Sequence, residues 1–214
     1  MKLEIGESVF YSWLRHIKCC QIVQNNWKVS PKWILQHTEE LERVFSTTSV
    51  FFQEKYQLDL YKHNASLSQL LRQAECDVVG LSSSESGTKY YAVDVAFHTD
   101  GLNYKNRKYT VAKVIAKSLR TAMCIYGYFD CDAAEIYFAS PKINPRVMQD
   151  LWSCIADAQE IMNEQGFHFT FNILANETFQ REVMLPILSL SEDVADTSEL
   201  FLRSYQMTKM FSVE

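Results

Sequence analysis

The chain has 214 residues, 47% hydrophobic and 22% charged, close to a soluble globular average, which suits one domain of ordinary to large size or a domain with an appended helical part. Its formal net charge of −5 argues against a protein that coats nucleic acid indiscriminately. No stretch approaches the ~20 apolar residues that a membrane-crossing helix needs. Glu4, Glu7, Arg15, His16 and Lys18 interrupt the region where a secretion signal would be continuous and apolar. A cytoplasmic protein with no membrane contact is therefore expected. The six cysteines then read as reduced thiols; with no Cys-x-x-Cys pair and five scattered histidines, a structural zinc site is not expected.

Taken in chain order, Val9, Phe10, Trp13, Leu14 and Ile17 recur at helical spacing and predict a first helix over about 6–18. Residues 20–29 read as a strand after the Cys19-Cys20 junction. Ser30-Pro31 is a helix start, and a long helix is expected from there to about Tyr56, burying Trp33, Ile34, Leu41, Val44, Phe45 and Phe51. A short helix over 66–72 precedes a strand at 75–81. The polar run 82–88 is turn-forming, and a second strand spans 89–98, so the two form a hairpin. A turn at Thr99-Asp100-Gly101 leads to a helix over about 109–126. A strand over 134–139, a helix from Pro145 to Gln165 stopped by Gly166, and a strand over 167–174 follow. Helical segments fill the remainder from Thr178, broken near Pro186 and through the acidic run 191–199. This order predicts an α/β fold with a mixed central sheet flanked by helices, in one domain carrying a helical C-terminal extension over about 176–214.

The hairpin carries the chemistry. Along its second strand Tyr91, Val93, Val95 and Phe97 point one way, while Tyr90, Ala92, Asp94, Ala96 and His98 point the other. A carboxylate inside so apolar a strand needs a partner. Asp77 lies near the start of the facing strand, where the hairpin brings it close enough to Asp94 to share a divalent cation. A bland reading stands beside this one: buried Asp residues often serve only as acceptors for backbone N–H groups or as ion-pair partners. Residues 103–120 then hold six cations and no acid, among them Lys113, Lys117 and Arg120 on one helix face. Such a strip in an acidic protein is compatible with local phosphate contact, and equally with a solvated helix face.

A helix, a hairpin with an Asp on each arm, a helix and a further strand resemble the PD-(D/E)XK nuclease superfamily, mainly over residues 5–29 and 75–140. The resemblance implies a restriction-endonuclease-like core with extra helices. It implies that Asp77 and Asp94 hold Mg²⁺ or Mn²⁺, with Glu7 of the first helix assisting and Glu4 as its substitute. Two departures stand out: Cys76 occupies a position where proline is commonest, and Ala96 occupies the position of the motif lysine. Lys113 or Lys117 would then contact phosphate, and His98 would contact water or metal. A metal-dependent nuclease is one expectation, with DNA ahead of RNA as partner. A catalytically inactive nuclease-fold subunit for binding or assembly is another, and an unrelated α/β protein with structural Asp residues is the third. A homodimer or a partner protein is compatible with each.

Overall fold

The computed structural model describes residues 4–62, 64, 66–85, 87–190, 194 and 198–211. Five strands form one open sheet in the order β1 (Ile22–Lys28), β2 (Glu75–Ser84), β3 (Gly87–Val95), β4 (Glu135–Ser140) and β5 (Thr170–Ala175). The first three run antiparallel, and β3, β4 and β5 are mutually parallel. The mixed sheet follows from the connections. β2 and β3 are joined by a tight turn, whereas parallel neighbours need a crossover, supplied here by α4 (Arg107–Phe129) and α5 (Pro145–Glu164). The hairpin is tighter than its polar run suggests, because the strands continue to Ser84 and resume at Gly87, whose φ of 117° suits glycine.

Each sheet face has its own core. One face packs beneath α2 (Thr38–Tyr56), α3 (Leu67–Arg72), α4 and α5, where Val114, Ile115, Leu119 and Met123 of α4 are fully buried. The other face lies under α1 (Ile5–Ser12), α6 (Asn176–Phe179), α7 (Leu185–Leu190) and α8 (Leu200–Met210), with Phe10, Leu14, Val183, Ile187 and Leu202 inside. The alternation along β3 holds: Tyr91 and Val93 enter the α1-side core, and Ala92 enters the α4-side core. α4 begins where the Asn106 side chain accepts the Tyr109 N–H at 2.9 Å.

Several expectations change. α2 begins at Thr38, because Ser30-Pro31 opens a turn (the Trp33 N–H donates to the Ser30 carbonyl at 3.0 Å) rather than a helix. Trp33 is consequently 48% exposed and Ile34 84% exposed, although Trp33 still packs on Trp27 and Tyr128. The first helix widens into a π-turn over Trp13–Ile17. No break occurs at Pro186, which lies inside α7 directly after a second π-segment, Gln180–Met184. β3 ends at Val95, so Phe97 and His98 lie beyond the ladder that would have fixed their faces, and Phe97 is 53% exposed. Residues 191–193 and 195–197 of the acidic run lie outside the described residues.

Candidate functional site

Regular β2–β3 pairing reaches Val78 opposite Val93, and one further step sets Asp77 opposite Asp94. Asp94 is 2% exposed. Its Oδ1 accepts from Lys117 Nζ at 3.0 Å, and its Oδ2 accepts from Thr121 Oγ1 at 3.1 Å. Lys117 and Thr121 are one turn apart on α4, so both reach the same strand residue. Asp77 is partly buried, and its Oδ2 accepts the Val95 N–H at 2.6 Å. Antiparallel pairing thus brings the two carboxylates together, and the parallel crossover lays α4 over them. The ladder on the other side of Asp77 is irregular, since Asn26 of β1 takes a left-handed φ of 53°.

Electrostatics make this an unbalanced group of charges. Burial pushes the Asp77 carboxyl up; Lys117 opposes that, the neighbouring Asp94 charge adds to it, and the group settles at about 6. Burial pulls the Lys117 ammonium down, but the Asp94 and Asp77 charges outweigh it and hold the lysine well above its ordinary value. One part-buried ammonium therefore serves two carboxylates. Tyr104 stands within the same field: burial raises its phenol, Lys117 opposes, and the two aspartates add to the rise.

The remaining sequence candidates divide. Lys113 lies beside the group with Nζ 3.7 Å from the centre of the Tyr104 ring, and burial followed by repulsion from Lys117 and Arg120 lowers its proton affinity. Glu7 is 8% exposed, and its Oε2 accepts from Asn26 Nδ2 at 2.8 Å. Its charge raises the Asp77 carboxyl, though as the smallest contribution. Glu4 precedes α1 as its exposed cap residue. His98 is exposed and meets Tyr104 edge-on at 5.6 Å, with no recorded contact to Asp94. Ala96 is buried and its N–H donates to the Ala139 carbonyl at 2.8 Å, so its backbone ties β3 to β4. Cys76 is buried with its thiol directed at the Val78 and Val93 carbonyls, and burial pushes it far up, which makes it inert as a nucleophile.

The sequence reading missed Thr121, Tyr104 and Asn26. Thr121 had a usable signal, being four residues beyond Lys117 on a helix. Asn26 had none, because its role depends on a local break in β1.

A divalent cation can be tested against these donors. Among the described residues, no group of three or more His, Cys, Asp or Glu side chains is arranged to hold an ion. Two carboxylates of surplus negative charge nevertheless suit a hard cation such as Mg²⁺, which keeps several waters and often takes only one or two carboxylates. The raised Asp77 carboxyl is consistent with this: burial does most of the raising and the Asp94 charge adds to it, and a nearby cation would offset both. Neither family models, curated proteins nor solved structures provide a match to this chain.

Proposed function

We propose that Asp77, Asp94 and Lys117 form the hydrolytic centre of a metal-dependent nuclease, with α4 supplying the lysine that is missing at Ala96, just beyond β3. The observation that carries this reading is the 3.0 Å contact of Lys117 Nζ with Asp94 beside a second, undercompensated carboxylate at Asp77. The order α1, β2–β3 hairpin with an Asp on each arm, α4 and β4 is the one on which the resemblance rests, and it supports this reading.

Asp77 and Asp94 would hold Mg²⁺ or Mn²⁺, which when bound neutralises phosphate charge and acidifies an attacking water. Lys117, kept as an ammonium by the carboxylates, is a poor base; it donates to a phosphate oxygen and offsets the charge that develops there. Thr121 fixes the Asp94 carboxylate against rotation. Lys113 stands one turn from Lys117 as a second phosphate contact. DNA is the first substrate to test and RNA the second.

The alternative is an inactive binding or assembly subunit. It is favoured by Asp94, whose two oxygens already accept from Lys117 and Thr121. The deciding experiment measures Mg²⁺- and Mn²⁺-dependent cleavage of single- and double-stranded DNA and RNA by the wild type, Asp94→Asn and Lys117→Met. The nuclease reading expects cleavage that needs more metal below about pH 6 than above it, because Asp77 then holds a proton the cation must displace, and that falls by about 100-fold or more in either variant. Mg²⁺ should also raise the melting temperature more above pH 6 than below it, because protons and metal compete for Asp77. Cleavage retained in Asp94→Asn, or no cleavage on any substrate, removes the nuclease reading.

A further inference from the structure

Three cavities of about 730, 400 and 150 Å³ follow one another along the flank of α4. The first opens beyond the carboxyl ends of β4 and β5 and is lined by Lys105, Arg107, Lys142 and Arg146. It shares Lys105 and Asn106 with the second, which adds Lys62 and Lys108. The second shares Lys62 and Tyr109 with the third, which ends at Lys113, Lys117 and Arg120, beside Asp94. Among the described residues, nine cations therefore line one groove, against two acids, Asp59 and Asp100. In a protein of net charge −5, that segregation is a local positive field rather than a general property of the surface.

The groove is built from separate parts of the sequence. Lys62 comes from the segment between α2 and α3, Lys105 from the loop before α4, Arg107, Lys108, Lys113, Lys117 and Arg120 from α4 itself, and Lys142 and Arg146 from the β4–α5 junction. Asn176 holds that junction in place, since its side-chain amide accepts from the Ile143 N–H and donates to the Ile143 carbonyl, each at 3.0 Å. Several of the cations carry internal contacts. Arg107 pairs with Asp150, Lys108 donates to Gln57, and Lys62 and Lys105 lie 4.8 and 5.1 Å from the centre of the Tyr109 ring. No ion pair is recorded among the described residues for Lys62, Lys105, Lys142 or Arg146, all of which are exposed.

We propose that this groove binds the phosphodiester backbone of a nucleic acid and feeds it toward Lys117, with flanking phosphates at Lys62 and Lys105 and at Lys142 and Arg146. From Asn106 to Lys117, α4 rises about 16 Å, which spans about five phosphates of one strand of a duplex lying parallel to it, at ~3.4 Å of axial rise each. The proposal rests on the nuclease reading for what lies at the end of the groove, but not for binding itself. It assigns phosphate-holding roles to Lys62, Lys142 and Arg146, outside the basic run of α4.

Fluorescence anisotropy in EDTA tests it, with labelled DNA and RNA oligonucleotides, single-stranded and duplex, over a salt series. Binding of at least one of the four should weaken linearly in log–log form with a slope near −4. Lys62→Ala/Lys105→Ala and Lys142→Ala/Arg146→Ala should each flatten the slope by about 1.5 and weaken binding by about tenfold or more. Arg43→Ala/Lys89→Ala, two exposed cations off the groove, should change neither. Preference among the four probes identifies the strand form. No binding, a slope unchanged in both groove variants, or equal loss in the off-groove variant overturns the proposal, as does binding of heparin without any oligonucleotide. Salt-dependent binding without cleavage on adding Mg²⁺ supports the groove and retires the catalytic centre. Cleavage that the groove variants leave intact does the reverse.

Discussion

Two lysine–carboxylate contacts of equal length lie on opposite faces of the sheet, and they differ in how their charges balance. On the α1 face, Lys18 Nζ is 3.0 Å from Glu135 Oε2, and the Tyr137 hydroxyl donates to the same carboxylate. Trp13, Tyr137 and Tyr91 surround that ammonium at 5.1, 5.2 and 5.4 Å. Burial pushes the Glu135 carboxyl up, but the bonds from Tyr137 and Lys18 outweigh it and leave the group below its ordinary value. On the α4 face, Lys117 at 3.0 Å from Asp94 must also answer Asp77, whose carboxyl is raised by burial first and then by the Asp94 charge, beyond what Lys117 offsets. The first contact is one-to-one and satisfied, as a structural pin should be. The second keeps an excess of negative charge beside a cationic groove, a state that costs stability and suits a site awaiting a cation or a phosphate-bearing partner.

The largest effect that would break this contrast is on stability. Asp94→Ala removes the buried acceptor of both Lys117 and Thr121, leaving Asp77 as the lysine's remaining carboxylate, and should lower the unfolding free energy by about 3–5 kcal/mol in urea titrations. Lys18→Met, at a site where both side chains are a quarter or more exposed, should cost about 1–2 kcal/mol. Equal losses would make the two pairs equivalent.

The next effect is the opposite pH dependence of the two sites. Asp77 titrates at about 6 in the folded protein and near 3.8 in the unfolded chain, so the native state holds the extra proton between those values. Its contribution therefore falls as pH rises from 3.8 to about 6, by on the order of 2–3 kcal/mol. Glu135, with its folded value below 4.5, contributes stability that is present above 4.5 and lost as pH falls through the folded value. Urea midpoints across this range should show Asp77→Asn losing the decline and exceeding the wild type above pH 6. An unchanged profile in Asp77→Asn would remove the surplus charge from the argument.

The smallest effect sharpens the picture of Asp94. Thr121→Val keeps volume and removes one hydrogen bond to a buried carboxylate, which should cost about 1.5–3 kcal/mol. Near-neutrality would mean that Lys117 alone orients Asp94.

Much of the scaffold was legible from pattern alone. Alternation over 75–81 and 89–95 marked the hairpin, and the 3.6-residue period marked α4 and α5, because both report a buried face directly. The failures have local causes. Pro31 signalled a helix, but a turn formed, and Trp33 was left half-exposed against Trp27 and Tyr128. His98 was assigned to the Asp94 face by extending an alternation that stops at Val95.

The sequence by itself determined that an acid would stand on each arm of a hairpin and that a lysine-rich helix would follow, since these depend on residue order and period. Tertiary structure decided which lysine meets the acids. Lys113 and Lys117 are equivalent by spacing, and only the rotation and axial offset of α4 against β3 turn Lys117 to Asp94 while leaving Lys113 over Tyr104. It also decided that Lys62, Lys142 and Arg146 would join the α4 cations in one groove. Residues so far apart in the chain are brought together by the packing of whole elements, which no local pattern encodes.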